Sequence, residues 1–278
     1  MFEDITIAFI GSGTMAEAMI RGLLAQNIVE KDQIIAAGPR PERGSFLQQR
    51  HGIRVTVDNT IAAEEGDIVV LSTKPQVLND VMPEIRGHLR RQDLVLSILA
   101  GTPIHKLANG LAHAAVARAM PNTPAQIGQG ITVWTVTPEV RSGQQQQAQV
   151  ILGSLGAEIF VADEDYLDMA TALSGTGPAY VFLLMEAMID AGVHMGFSRR
   201  VAQQLVFQTM RGSVEYAAQS SKHVAELRNQ VTSPGGTTAE ALYHMEKGGL
   251  RTVISRGIFA AYQRSIALGR GKRHAELE

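Results

Sequence analysis

Residues 5–24, Ile-Thr-Ile-Ala-Phe-Ile-Gly-Ser-Gly-Thr-Met-Ala-Glu-Ala-Met-Ile-Arg-Gly-Leu-Leu, decide the fold of the amino-terminal half. The apolar run over 5–10 predicts a buried strand, and apolar residues at helical spacing after Ala16 predict a helix. Between them Gly11 permits a tight turn, Gly13 lets the backbone approach a diphosphate, and Ala16 lets the helix pack closely on the strand. Strand, glycine turn and helix in this order predict a dinucleotide-binding unit.

The turn and the residues beside it are the first candidates for cofactor binding. The amino-terminal end of a helix offers unpaired backbone N–H groups and the positive end of the helix dipole, which together bind phosphate. A glycine pattern alone is weak evidence, but this one follows the first strand of the chain and opens a helix, as the motif requires. The candidates at this turn are Ile10, Gly11, Ser12, Gly13, Thr14 and Met15.

The second predicted strand, at 33–37, ends without the carboxylate that would bind the ribose diol of NAD. The loop that follows instead places Arg40 and Arg43 where a 2′-phosphate would lie. A guanidinium binds phosphate in bidentate fashion, so the loop favours NADPH, with NADH possible. The alternative is that both arginines are solvated and that Glu42 faces the ribose.

The first half of the chain alternates predicted strands with helix-compatible segments. This alternation predicts an α/β fold with a Rossmann-type doubly wound parallel sheet. Ligands of such a sheet bind outside the carboxyl ends of the strands. The further strands are predicted at 54–57, 67–71, 93–99 and 114–119.

Segments at the predicted strand ends are candidate cofactor loops: Ser72-Thr-Lys-Pro75, Ala100-Gly-Thr-Pro103 and Met120-Pro-Asn-Thr-Pro124. Lys74 can meet a phosphate and Asn122 can hydrogen-bond the nicotinamide amide, although each also fits an ordinary turn. Asn59 is a candidate that alternatively caps the short helix after the third strand. The candidates from strand ends are Asn59, Ser72, Thr73, Lys74, Pro75, Ala100 and Asn122.

Beyond about residue 163 the pattern changes to long apolar helical segments without further strand signals. The change predicts two domains: a dinucleotide-binding Rossmann domain at 1–162, and an all-α domain for substrate binding and dimerisation at 163–278. Alanine and methionine occupy more than one face of these helices, so we expect the helical half to bury apolar surface against another subunit.

Residues 233–249, Ser-Pro-Gly-Gly-Thr-Thr-Ala-Glu-Ala-Leu-Tyr-His-Met-Glu-Lys-Gly-Gly, combine a glycine loop with the start of a helix. A carboxylate can be held at such a helix terminus without a cationic side chain, which points to a small acidic substrate. We expect Gly236 to need a conformation that only glycine adopts readily. The alternative is that Ser233 or Thr237 merely caps the helix. The substrate-binding candidates are Ser233, Gly235, Gly236, Thr237 and Thr238.

The composition limits the class of protein. The chain has 278 residues, a net charge of −2 and no cysteine, which indicates a cytoplasmic enzyme without disulfides or thiolate chemistry. No basic region stands out for nucleic acid, and the eight histidines show no metal-ligand spacing. No apolar run approaches the length that spans a bilayer. We therefore expect a small-molecule substrate, no metal, no nucleic acid and no membrane partner.

The chain resembles the pyrroline-5-carboxylate reductases over essentially its whole length. The resemblance rests on motifs in family order and spacing: Phe9-Ile-Gly-Ser-Gly-Thr-Met-Ala16, Ser72-Thr-Lys-Pro75, Arg118-Ala-Met-Pro-Asn-Thr-Pro124, Leu173-Ser-Gly-Thr-Gly-Pro-Ala-Tyr180 and Val231-Thr-Ser-Pro-Gly-Gly-Thr-Thr238. One departure concerns the cofactor loop, because Ser72 and Thr73 stand where the family commonly has Ala-Val.

The resemblance implies reduction of Δ1-pyrroline-5-carboxylate to L-proline by hydride transfer from NADPH to the imine carbon. It implies an amino-terminal Rossmann domain, a helical dimerisation domain, and a homodimer or a decamer of five dimers. It also implies that the loop 233–238 binds the substrate carboxylate, that the Thr238 hydroxyl touches the ring nitrogen as the catalytic group, and that Glu164 lines the site.

The chemistry of an imine agrees with these residues. A protonated imine is already electrophilic, so a threonine hydroxyl that orients the nitrogen can suffice. A ketone would leave an alkoxide that needs a proton from His, Lys or Tyr. The helix after Pro178 carries no lysine or histidine before His194, which disfavours the first alternative, a β-hydroxyacid dehydrogenase. The second alternative, a non-catalytic nucleotide-binding scaffold, is disfavoured by the intact 233–238 loop.

Overall fold

The computed structural model describes residues 1–270. It contains two compact units, Met1–Thr176 together with the segment from Ala261, and Gly177–Ala260. The expected boundary at 162–163 falls after the last strand, whereas compactness divides the chain after Thr176. Residues 271–278 of the expected helical domain lie outside the described residues.

The first unit is built on one eight-stranded sheet, in the order β3-β2-β1-β4-β5-β6-β7-β8. All neighbouring pairs are parallel except β6 and β7, which are antiparallel. The prediction of a parallel sheet is therefore corrected at this pair. The strands are β1 Ile7–Ile10, β2 Ile34–Ala37, β3 Arg54–Thr56, β4 Ile68–Leu71, β5 Leu94–Ser97, β6 Val116–Met120, β7 Gly130–Val136 and β8 Gly156–Phe160.

Strands β7 and β8 are absent from the sequence-based expectation for a physical reason. Strand β7 mixes buried and half-buried positions and carries the buried polar residues Thr132 and Thr135. Strand β8 is an edge strand that is only half-buried or exposed. Neither has the continuous apolar run by which β1, β2, β4 and β5, buried at every position, are recognised.

Helices cover the sheet with two apolar clusters, between which the side chains of β1 alternate. Ile7 and Phe9 belong to the cluster that includes α1 and α6 residues, and Ala8 and Ile10 to the cluster that includes α3, α4 and α5 residues. The helices of this unit are α1 Thr14–Ala25, α2 Pro41–His51, α3 Asn59–Glu65, α4 Leu78–Ile85, α5 Ile104–Leu111, α6 Ser142–Gly153 and α7 Asp165–Ala170.

The second unit is entirely helical, as expected from its apolar spacing. Helices α8 and α9 approach closely, since a Cβ at Gly192 would lie 3.0 Å from Ala202 Cβ. The Ser198 hydroxyl caps α9 by accepting the Val201 N–H. The helices are α8 Gly177–His194, α9 Arg199–Gln219, α10 Val224–Gln230, α11 Thr237–Lys247 and α12 Leu250–Gly269, of which the residues from Ala261 belong to the first unit.

The helical run Asp165–His194 corrects the expectation that no segment is long and apolar enough to cross a bilayer. It joins α7 and α8 through a π-helical turn at Thr171–Gly175. By length and composition alone it satisfies that requirement, with a mean hydropathy of 1.3 in its most apolar window. Only 6% of that window is buried, so the helix exposes an unusually apolar surface.

Candidate functional site

The glycine turn after β1 packs backbone to backbone against the loop after β4. Gly11 has a φ of +107°, and a Cβ there would lie 2.6 Å from Thr73 N, so only glycine fits. The Ser72 hydroxyl donates to Gly11 O at 2.7 Å. Ser72 therefore stabilises the glycine turn, which accounts for a serine where the family commonly has alanine.

The amino-terminal end of α1 is open in the way that a diphosphate requires. Gly13 is its N-cap residue, and no side chain caps the helix. A Cβ at Gly13 would meet only Ser72 O, at 3.9 Å, so the protein's own packing does not require glycine here. The open space fits the expected approach of a phosphate to the helix terminus.

The segment after β4 adds two groups that suit a nucleotide. The Thr73 hydroxyl is buried and makes no hydrogen bond among the described residues, so it is a polar atom that a bound ligand could satisfy. Lys74 is exposed and precedes the short 3-10 helix Pro75–Val77. Both therefore remain candidates for cofactor contacts.

Arg40 and Arg43, equivalent in the sequence, differ in the structure. Arg40 is the exposed N-cap residue of α2, and its side chain makes no hydrogen bond or ion pair with residues 1–270. Arg43 is bonded to the glycine turn and to Glu17. Of the two arginines, Arg40 is the one available to a 2′-phosphate.

The two asparagine candidates make contacts within the protein. Asn59 is the first residue of α3, and Asp58 is the N-cap, accepting Thr60 N–H at 2.8 Å; the alternative that Asn59 caps this helix is wrong. Asn59 Nδ2 donates to Glu84 at 2.7 Å.

Asn122 Nδ2 donates to Ser174 O at 3.2 Å, and its Oδ1 accepts Ile131 N–H at 3.0 Å. The contact ties the loop after β6 to the π-helical turn before α8. These bonds favour the structural interpretation of Asn122 that the sequence left open, and its contact with a nicotinamide stays a prediction.

A buried arginine organises the carboxyl ends of β5 and β6. Arg118 of β6 is only 3% exposed and lies 2.5 Å from Glu164 Oε1 and 3.6 Å from Asp168 Oδ1. Glu164 Oε1 also accepts the N–H of Ile104, the first residue of α5, at 2.7 Å. Ser265 donates to Asp168 at 2.6 Å. Sequence reasoning missed this network, whose only local signal is a charge inside an apolar strand.

The candidate loop 100–103 is held by the end of α12. Gly101 has a φ of +62°, and a Cβ there would lie 3.0 Å from Leu268 Cβ. A Cβ at Gly269 would lie 3.3 Å from Pro103. The half-buried Ala100 thus begins a loop whose path is fixed by residues far away in the sequence.

The loop before α11 has an uncapped helix terminus. Gly236 is the N-cap residue, and no side chain caps the helix, so the alternative of a Ser233 or Thr237 cap is wrong. Gly235, with φ +68°, is the residue in the left-handed conformation, whereas Gly236 has φ −82°. The expectation for Gly236 is corrected: its backbone suits any residue, but a Cβ would lie 2.4 Å from Ser233 Oγ.

The candidate residues fall into both compact units. Those of the glycine turn, the strand-end loops and Glu164 belong to the first unit, and Ser233 to Thr238 belong to the second. Ser233, Gly235 and Thr237 are exposed, while Gly236 and Thr238 are half-buried. Among residues 1–270 there is no group of three or more His, Asp or Glu residues that could hold a metal ion.

Two family models match the chain. The model described as pyrroline-5-carboxylate reductase dimerisation matches residues 164–268. The model described as NADP oxidoreductase, coenzyme F420-dependent, matches residues 6–101. The two matches cover the helical region and most of the sheet, respectively.

Proteins named pyrroline-5-carboxylate reductase align with nearly the full length of this chain. The pyrroline-5-carboxylate reductase of Synechocystis sp. is 39% identical over 267 residues, covering 96% of this chain and 99% of the relative. That of Pseudomonas aeruginosa is 40% identical, covering 94% and 96%. A crystal structure of Plasmodium falciparum pyrroline carboxylate reductase with NADP bound has a TM-score of 0.88 and 33% identity, covering 95% of this chain and 98% of that one.

Proposed function

The chain belongs to the pyrroline-5-carboxylate reductase family. We propose the role of each candidate residue in the NADPH-dependent reduction of Δ1-pyrroline-5-carboxylate to L-proline. The observation that carries the function is the alignment of named reductases over 96% and 94% of the chain, at 39% and 40% identity. The β-hydroxyacid dehydrogenase and the non-catalytic scaffold have no comparable support.

The first unit binds the nucleotide. The open amino-terminal end of α1 at Gly13 would hold the diphosphate, and Lys74 and Thr73 of the loop after β4 would add a charge and a hydroxyl for the phosphates. Arg40 binds the 2′-phosphate, because its guanidinium is exposed and unpaired among residues 1–270. NADPH, when bound, supplies the hydride that the imine carbon accepts.

The loop before α11 binds the substrate carboxylate. Its helix terminus has no side-chain cap, so the first backbone N–H groups of α11 can bind an anion. Gly235 gives the loop its left-handed turn, and Gly236 leaves the approach to these N–H groups without a side chain. Ser233 and Thr237 add hydroxyl donors at the rim.

Thr238 is the catalytic group in this proposal. It lies in the first turn of α11, one residue beyond Thr237, and is half-buried. Its hydroxyl orients the ring nitrogen and relays to it, before hydride transfer, the proton from solvent that converts the imine to an iminium, while the loop holds the carboxylate and so fixes the position of the imine carbon. Protonation of the imine beforehand makes a stronger acid unnecessary.

Glu164 lines the substrate site in this proposal, through the carboxylate oxygen that Arg118 does not hold. Its Oε1 is bonded to Arg118 and to Ile104 N–H, which fixes the carboxylate. Its side chain is 27% exposed, so part of the group reaches solvent.

Assembly is proposed to proceed through the second unit. A groove of about 760 Å³ in this unit is lined mostly by apolar side chains, among them Phe182, Leu183, Ile189 and Phe207, together with three polar or charged ones. Residues 164–268 match the dimerisation model of the family. A homodimer, or a decamer of five such dimers, would cover this apolar surface, and light scattering at micromolar concentration distinguishes both from a monomer.

A cytoplasmic location stays a prediction, which cell fractionation would test.

A steady-state assay of the purified protein tests the function. We expect oxidation of NADPH that depends on pyrroline-5-carboxylate, with a lower kcat/KM for NADH. A panel of β-hydroxyacids with the oxidised nucleotide is the control, and turnover on that panel with none on the imine would contradict the proposal. Nucleotide binding without turnover on any cyclic imine would support the scaffold instead.

A further inference from the structure

The side chain of Arg43 reaches from α2 to the glycine turn. Its Nε donates to Ser12 O at 2.8 Å, and its Nη2 lies 3.4 Å from Gly13 O. The same Nη2 donates to Glu17 Oε2 at 2.6 Å. The guanidinium stacks on the Phe46 ring, with its central carbon 5.0 Å from the ring centroid. One side chain thus joins two carbonyls of the turn, those of Ser12 and Gly13, to Glu17 in the first turn of α1.

Bonds to these two carbonyls also set the direction of two N–H groups. A trans peptide plane carries its C=O and its N–H on opposite sides, and none of the described peptide bonds is cis. The Arg43 bond to Ser12 O therefore fixes the N–H of Gly13. Gly13 O also accepts the Glu17 N–H at 3.0 Å, so Arg43 and the helix together fix the N–H of Thr14. These are the backbone donors that a diphosphate at the start of α1 would meet.

Arg43 also neutralises an acid close to that position. Glu17 lies in the first turn of α1. The helix dipole stabilises a carboxylate at this position, but the same negative charge would repel a bound diphosphate. Arg43, Arg50 and His51 all contact its oxygens. Partial burial raises the pKa of the Glu17 carboxyl, but hydrogen bonds and positive charges from these neighbours outweigh it and lower the pKa. Glu17 thus stays ionised and paired.

We propose that Arg43 is a positioning residue that holds the glycine turn ready for the diphosphate, and that it takes no part in recognition of the 2′-phosphate. The inference rests on the proposed function, since it concerns the nucleotide of that reaction. The two arginines at the start of α2 then have different roles. Arg43 serves every dinucleotide that binds the turn, and Arg40 serves only one that carries a 2′-phosphate.

Calorimetric measurement of Kd for NADPH and NADH tests this division. We expect Arg43→Gln to raise both Kd values about ten-fold, as befits the loss of positioned hydrogen bonds. The ratio of the two Kd values should stay within about two-fold of the parent ratio, the scatter of independent effects. Arg43→Lys keeps a charge beside Glu17 but lacks the planar fork, so it should also weaken both nucleotides.

Arg54→Gln is the matched control. Like Arg43, Arg54 bonds both to the backbone and to a carboxylate: it donates to Asp32 O at 2.9 Å and to Glu65, and neither partner belongs to the glycine turn. It should lower Tm somewhat, because a bonded arginine is lost, and leave both Kd values unchanged.

The outcomes separate the possibilities. Unchanged binding by Arg43→Gln, a loss confined to NADPH, or an equal loss in Arg54→Gln would each overturn the inference. If Arg43→Gln does not fold, the same criteria apply to Arg43→Lys. A parent protein that binds neither nucleotide would contradict the proposed function itself, which keeps the two failures distinct.

Discussion

Arg118 Nη1 lies 2.5 Å from Oε1 of Glu164, and this ion pair joins the carboxyl end of β6 to the residue that precedes α7. The same carboxylate oxygen accepts Ile104 N–H at the start of α5. A candidate substrate residue is therefore also a link between two elements of the sheet's ligand-binding edge. Its position depends on a buried charge 46 residues away in sequence.

Replacing Arg118 should destabilise the fold and disturb the site together. Arg118→Met leaves the carboxylates of Glu164 and Asp168 without their cation. Because both carboxylates are partly exposed, the loss of unfolding free energy should be about 1–3 kcal/mol, less than for a fully buried pair. Urea unfolding measures this loss. Arg118→Lys, which retains the charge, should recover part of it. Equal stability of Arg118→Met and the parent would show that the pair contributes nothing net.

Thr238→Ala should lower kcat by about ten-fold or more, because one positioned hydrogen bond to the charged reacting nitrogen contributes on the order of 1.5–3 kcal/mol. Thr238→Ser keeps the hydroxyl and is the matched control. We expect Kd for NADPH to stay the same in both variants. Parent-like turnover by Thr238→Ala on pyrroline-5-carboxylate would exclude the proposed catalytic role.

Gly236→Val should raise KM for the imine and lower kcat. The reason is steric: the added side chain would push against Ser233 Oγ, 2.4 Å from the Cβ position, and cover the helix terminus. Gly143→Val, in the first turn of α6 with open space around its Cβ position, is the control for the effect of valine at a helix start. An unchanged KM in a folded Gly236→Val protein would move the carboxylate site elsewhere.

The predictable parts of the structure are those with local signals. The turn at Gly11 and Gly13, the helical second half and the start of α11 follow from short patterns of glycine and apolar residues. The antiparallel strand β7 does not, because its buried Thr132 and Thr135 break the apolar run.

Long-range side-chain contacts also escape a reading of the sequence. The sequence gives no reason to treat Arg40 and Arg43 differently, since both are arginines of the same loop. Only the position of α2 beside the glycine turn gives Arg43 hydrogen-bond partners within the protein. The pairing of Arg118 with Glu164 depends in the same way on the folded sheet bringing β6 next to the start of α7.

Glu17 should make stability depend on pH in the acid range. The pKa of its carboxyl is lowered in the folded protein from the ordinary value of 4.5, so its contribution is complete above that value and is lost as pH falls through the folded pKa. Glu17→Gln should cost about 0.5–1 kcal/mol at neutral pH, the upper range for a partly exposed pair. The free-energy difference from the parent should shrink below pH 4.5. A difference independent of pH would rule out this role for Glu17.

Arg40→Asp should convert the nucleotide preference. The second strand ends without an acidic residue, and Arg40 stands exposed at the N-cap of α2, so its guanidinium is available to a 2′-phosphate. The pairing is partly exposed and should contribute about 1.5–3 kcal/mol, as hydrogen bonds to charged groups do, which corresponds to a rise of roughly ten-fold or more in KM for NADPH. KM for NADH should stay the same or fall, because aspartate can accept hydrogen bonds from the ribose diol.

Added salt should weaken NADPH binding in the parent and have less effect in the variant. Since Arg43 is bonded to the glycine turn, the single substitution should give the full effect without a second change. Equal kcat/KM for the two nucleotides in the parent enzyme would show that Arg40 does not recognise the phosphate.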